Sequence, residues 1–220
     1  DEVIVPSLTF VATANVVKYC EAESVFIDCD KDTLCLDVEK LRLFLEMECE
    51  QKVDGYTYNR ASNRRVKAII PVHVFGHPVA MDVLLELCQL YNIDVIEDAT
   101  ESLGSEYKGE KTGSFGKLSC LSFNGNKIIT TGGGGMVVTN DEELARRVKH
   151  LSTQAKIDPI EYDHNEIGYN YRLTNIQAAM GVAQMESLDK FIAIKRENAL
   201  RYQNLFSDSK YLEFIWEKPW

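Results

Sequence analysis

One lysine, Lys127, sits in a polar turn between two apolar runs: Ser119 to Phe123 before it and, beyond the four glycines Gly132 to Gly135, Met136 to Thr139 after it. A primary amine attacks aldehydes and ketones once burial or a neighbouring cation disfavours its charged form. Ser122, shortly before the lysine, offers a hydroxyl that can hold a phosphate, and the glycines let the backbone approach something bulky. Most lysines are solvated, so a surface charge in a hairpin is the default for Lys127. The elements around it have to decide otherwise.

Those elements alternate. Val3 to Pro6 predicts a short buried strand, Thr9 to Cys20 a helix, Val25 to Asp28 a strand, and Asp37 to Glu48 an amphipathic helix. Glu50 to Arg65 is a polar excursion. Val66 to Val72 and Ile93 to Asp98 are further strands, separated by a loop at His73 to Pro78 and a helix from Met81 to Tyr91. Continuous apolar strands alternating with helices predict an α/β fold with a mostly parallel sheet between helices. Ligands bind such sheets at the carboxyl ends of the strands, and Asp98 lies at such an end. Downstream, Asn140 and Glu143 predict a capping box opening a helix, and Ser152 to Glu166 a polar loop. Thr174 to Gln177 is a second box opening one long helix, about Asn175 to Leu205.

Composition narrows the class. The chain has 220 residues, 45% of them hydrophobic and 26% charged, with a net charge of −10. An acidic balance argues against nucleic acid or an anionic membrane as the main partner, though not against a phosphorylated ligand. The six cysteines are scattered without a CxxC pair, as reduced core cysteines of a cytoplasmic protein would be. No metal site is expected. The chain opens inside a strand pattern and stops without a clear finish, so it reads as a piece of a longer protein.

An Asp at a strand end beside a Lys in a neighbouring turn is the pair that pyridoxal 5'-phosphate (PLP) requires. The lysine joins the cofactor as a Schiff base, and the carboxylate pairs with the pyridinium nitrogen so that the ring remains an electron sink. A turn cap is the alternative for Asp98. No GxGxxG follows the first strand, which removes a nicotinamide-binding fold.

Longer motifs carry a resemblance. Val95 to Gly104 (VIEDATESLG), Tyr107 to Gly116 (YKGEKTGSFG), Ser122 to Gly132 (SFNGNKIITTG), Val5 to Asn15 (VPSLTFVATAN), and Gly168 to Arg172 (GYNYR) with Ala178 to Gly181 resemble the DegT/StrS group of PLP-dependent nucleotide-sugar aminotransferases, in order and over nearly the whole chain. The resemblance implies PLP fold type I, the aspartate-aminotransferase-like large domain, over 1–172. It implies that 173–220 is a long helix leading toward a C-terminal small domain, and that an N-terminal segment and that small domain are missing. Lys127 and Asp98 would be catalytic. Lys127 would carry the cofactor and move the proton between its C4′ carbon and the substrate, and Asp98 would hold the ring nitrogen. Ser122 would bind the phosphate, Phe10 would stack on the ring, and Glu101 would lie near the cofactor, with a salt-bridged surface glutamate as its alternative. Asn170 and Arg172 would reach the phosphate of a partner chain, making a homodimer with shared active sites.

The implied reaction takes an amine from L-glutamate to a 4-keto-6-deoxy nucleotide sugar. Tyr58 to Arg65, with His73 and Gly76 to Pro78, resembles the branch serving legionaminic-acid-type pathways, whose sugars are UDP-linked and N-acetylated. Arg60, Arg64 and Arg65 would then touch a diphosphate or form a solvated basic loop. Two other outcomes remain: a PLP-fold binding or regulatory protein without turnover, and a related sugar dehydratase. Family dehydratases lack the lysine, so Lys127 argues against the second.

Overall fold

The computed structural model describes residues 1–158 and 160–220. Strand β1 (Glu2–Pro6) leads to helix α1 (Val11–Tyr19) and strand β2 (Glu23–Ile27). Helix α2 (Val38–Glu48) is followed by a hairpin, β3 (Cys49–Gln51) and β4 (Thr57–Asn59), then β5 (Val66–Ile69), α3 (Met81–Leu90) and β6 (Asp94–Asp98). A second hairpin, β7 (Glu106–Tyr107) and β8 (Glu110–Lys111), precedes β9 (Leu118–Ser122) and β10 (Gly135–Val138). Three helices follow: α4 (Glu142–Ser152), α5 (Asn175–Met185) and α6 (Leu188–Leu205).

Six strands form the main sheet in the order β10-β9-β6-β5-β1-β2, all parallel except β10, which runs antiparallel to β9 at one edge. The mostly parallel α/β architecture is therefore as expected. Because side chains alternate across a strand, the central strands β1, β5 and β6 feed two cores. Ile4, Ile69 and Val95 face the larger cluster with Leu41 and Leu45 of α2 and Leu84 and Leu87 of α3. Val5, Ile70 and Ile96 face the other way, against Val17 of α1 and Ala22.

Local chemistry explains the boundaries and corrects three of them. Asp37 starts α2 by accepting from the amides of Glu39 and Lys40. Helix α4 is capped by Asp141, not Asn140: its carboxylate accepts from Glu143 N at 2.8 Å and Leu144 N at 3.0 Å, so Glu143 serves as a donor rather than closing a box. The box at Thr174 and Gln177 is present. The long helix is two, broken at Glu186 and Ser187, which lets Leu188 re-aim and bury in a third cluster with Phe123 and Ile129. The polar excursion contains the β3–β4 hairpin. Part of the loop expected at Ser152 to Glu166, position 159, lies outside the described residues. Among the described residues, no helix is long and apolar enough to cross a membrane.

Candidate active site

The carboxyl ends of β6 and β9 lie side by side, with β1 on the far side of β5, and the turn carrying Lys127 rises from the end of β9. This turn is anchored rather than floating. Phe123 and Ile129, on either side of the lysine, are buried against Leu188, with Phe191 and Ile192 of α6 packed alongside. Its backbone is closed by Thr131 N to Phe123 O at 3.0 Å and Phe123 N to Gly134 O at 3.0 Å. Thr130 N donates to Gln184 Oε1 of α5 at 2.8 Å. Only 17% of the Lys127 side chain is exposed, which removes the solvated default. Its Nζ lies 3.4 Å from Glu101 Oε1, while Glu101 Oε2 accepts from Phe75 N at 3.0 Å.

The glycines divide by role. Gly135 belongs to β10, where a Cβ would strike Leu121 O of β9; at Gly134 it would strike the Leu173 side chain. Gly132 and Gly133 face open space. Close approach thus serves the neighbouring strand and Leu173 at two of the four positions.

Asp98 is held at both oxygens. Thr100 donates to Oδ1 from its hydroxyl at 2.6 Å and its amide at 3.2 Å, and Thr13 of α1 donates to Oδ2 at 2.8 Å. A carboxylate accepts about four hydrogen bonds, so one position on Asp98 stays open. Thr100, Glu101, Ser122 and Lys127 line one cavity of about 710 Å³, which runs from the turn past Gly76 and Ser105 to Lys195, Trp216 and Trp220.

Next to Asp98, Glu97 faces the opposite core and is fully buried. Its carboxylate accepts from Phe115 N, Gly116 N and Ser119 Oγ at one oxygen, and from Gly113 N and His73 Nε2 at the other, all within 2.9 Å. Burial by itself pushes this carboxyl up; the bonds from His73, Gly116 and Gly113 outweigh it and leave it at about 2. Val79 N donates to His73 Nδ1 at 3.2 Å, so the ring proton sits on Nε2, toward Glu97. Thr13, Thr100, His73 and Glu97 were not singled out for these tasks from the sequence. One signal existed for Glu97: an acid sharing Val95's side of an apolar strand must find partners inside.

The family model of DegT/DnrJ/EryC1/StrS aminotransferases matches residues 1–220. The chain belongs to this family. It is 46% identical over 203 residues to the GDP-perosamine synthase of Escherichia coli O157:H7, covering 92% of this chain and 51% of that protein. It is 32% identical over 213 residues to the UDP-4-amino-4,6-dideoxy-N-acetyl-beta-L-altrosamine transaminase of Helicobacter pylori, covering 96% of this chain and 52% of that protein. Among solved structures, E. coli GDP-4-keto-6-deoxy-D-mannose-3-dehydratase with bound hydrated PLP superposes with a TM-score of 0.83 at 26% identity, covering 99% of this chain and 56% of that one. The chain spans about half the length of the curated relatives it matches. The fold is that of PLP fold type I enzymes.

The remaining residues expected at a DegT-family site lie apart from the cavity lining. Phe10 is the N-cap of α1 and 77% exposed, one residue after Thr9. Asn170 pairs with Thr153 in an isolated bridge, flanked by the stacked rings of Tyr169 and Tyr171, and both Asn170 and Arg172 are exposed. Arg60 pairs with Glu50 and Arg64 with Glu23, and the Arg65 guanidinium stacks 3.3 Å over the Tyr56 ring. These arginines precede β5, at the amino end of the parallel strands, opposite to Asp98. For Arg60 and Arg64, both exposed, the solvated basic loop is the reading this placement supports; Arg65 is half-buried against Tyr56.

Proposed function

We propose that this chain is the cofactor-holding part of a PLP-dependent aminotransferase that passes an amine from L-glutamate to a 4-keto-6-deoxy nucleotide sugar. The observation that carries the reading is Lys127: an amine with little exposure, presented by an anchored turn to the cavity it shares with Ser122 and Thr100, whose hydroxyl fixes Asp98. The residues fit the cofactor by chemistry. They supply one amine, one carboxylate with an open acceptor position, one hydroxyl suited to phosphate, and one exposed aromatic ring at Phe10.

PLP, when bound, supplies an electron sink that lets a bond at the amine-bearing carbon break. The protein does the rest. Asp98 would accept from the ring nitrogen and stabilise its positive charge. Ser122 would bind phosphate. Lys127 Nζ would hold the cofactor and then act as the base that carries a proton to and from the substrate carbon. Glu101 holds Nζ in place between these duties. Phe10 offers a flat apolar face for the ring. The cavity of about 710 Å³ has room for a nucleotide sugar as well as for the much smaller glutamate.

Two subunits complete the reading. Phe10, Tyr171, Ile176 and Val182 are large, exposed and apolar, the composition of a surface that another copy covers. Asn170 and Arg172 lie near Tyr171, Ile176 and Val182 in the chain and would serve the partner's phosphate. A GDP-perosamine synthase at 46% identity and a UDP-sugar transaminase at 32% both stand among the relatives; the polar excursion lies at the opposite end of the strands from Asp98 and His73 is buried against Glu97, so neither motif selects the acceptor's nucleotide.

The test is a visible spectrum of the full-length protein with PLP, before and after L-glutamate. A band that appears with PLP, is absent in Lys127→Ala, and bleaches with glutamate is the expected result. A band indifferent to glutamate would indicate a binding protein without turnover. No band with PLP would overturn the reading. The dehydratase reading is weaker because Lys127 is present.

A further inference from the structure

Thr13 is an unusual residue to find inside. It is 4% exposed, and with Val17 it forms the buried edge of α1. A valine would pack there as well, so the hydroxyl needs its own reason, because an unbonded buried hydroxyl destabilises. A threonine within a helix ordinarily bonds back to the carbonyl four residues earlier. Thr13 does not. Its oxygen lies 2.9 Å from the Thr9 hydroxyl and 2.8 Å from Asp98 Oδ2.

The polarity of this chain follows from counting protons. Asp98 as a carboxylate can only accept, so the single hydroxyl proton of Thr13 goes to Oδ2. Thr9 must therefore donate to Thr13. Such a chain is cooperative: each bond polarises the next. Thr100 fixes the other oxygen, so the carboxylate plane is locked from two sides by residues of different elements.

We infer that Thr13 is a positioning residue: with Thr9 behind it, it holds Asp98 oriented so that the open acceptor position meets the cofactor's ring nitrogen. The inference rests on the PLP reading above. It reaches further, because it assigns the strength of the carboxylate–pyridinium contact to a buried hydroxyl on helix α1.

The test separates positioning from packing. PLP affinity is measured by absorbance titration in the full-length wild type, Thr13→Val, Thr13→Ser and Thr9→Val, with circular dichroism to confirm folding. Each protein is then titrated with the PLP analogue that has carbon in place of the ring nitrogen. Thr13→Val is expected to weaken PLP about tenfold, Thr9→Val by less, and Thr13→Ser to remain near wild type. For the carbon analogue, wild type and Thr13→Val should bind alike, since no ring nitrogen is there to meet Asp98. Equal losses for both ligands would make Thr13 a packing residue and overturn the inference. No loss for either would overturn it as well. A wild type that binds neither ligand would instead remove the PLP reading, and the inference with it.

Discussion

Glu97 and Asp98 are consecutive in β6 and face opposite sides of the sheet: Glu97 is sealed in the core by five donors, and Asp98 takes three threonine hydrogen bonds, two of them from Thr100, which lines the cavity. The pleat separates two acids of the same motif into two tasks. Glu97 ties the Gly113–Ser119 segment and His73 to the strand end, and through the shared backbone that tie holds Asp98 at the height of the turn that carries Lys127.

Replacing Glu97 by Gln keeps the shape and removes the charge. The amide group turns an acceptor into a donor facing backbone N–H groups, so a loss of about 3 kcal/mol or more is expected in chemical denaturation. The sign of the pH effect is set by a folded-state value of about 2 against an ordinary 4.5. Stability from Glu97 is complete above about 4.5 and is lost as pH falls from there toward 2, amounting to about 3 kcal/mol. Glu97→Gln should lack this part of the acid-side slope.

Lys127→Ala is expected to abolish the visible PLP band and to lower turnover by about three orders of magnitude or more, while the melting temperature stays close to wild type. Lys127→Arg should behave as Ala does in the spectrum, because a guanidinium stays protonated and does not attack a carbonyl. Turnover at the wild-type rate in either variant would remove Lys127 from the chemistry.

The four glycines should respond unequally. Gly135→Ala drives a Cβ into Leu121 O and is expected to cost about 2 kcal/mol or more and to loosen the Lys127 turn. Gly133→Ala meets nothing within 4 Å and carries no left-handed backbone, so its melting temperature should be unchanged or slightly raised. Equal effects at the two positions would contradict the observed strand pairing.

The start of α4 offers a check on local chemistry. Asp141→Ala removes the acceptor for two amides and should cost about 1 kcal/mol, whereas Asn140→Ala should change thermal stability by less than about 0.5 kcal/mol.

Much of the architecture was legible because it rests on short-range patterning. Continuous apolar runs at Val66 and Ile93 demand burial on both faces, and the Thr174–Gln177 box marks a helix start by itself. Where two adjacent residues competed to cap, as at Asn140 and Asp141, composition could not choose; the backbone path past Thr139, which accepts from Asp141 N at 3.1 Å, did. The break at Ser187 was hidden for another reason: helical periodicity continues through it, and the burial of Leu188 against Phe123 is a contact across 65 residues.

The sequence by itself determined the fold class and the motif order, and it singled out one lysine and one aspartate as groups whose types could do chemistry, since residue type settles which groups can react. The tertiary structure decided which environment each group has. It drew Lys127 out of solvent by anchoring Ile129 to α6, gave Asp98 its threonines from helix α1 and its own loop, and committed Glu97 to the core. Each depends on side chains far apart in the chain meeting at one place, and no local pattern records that meeting.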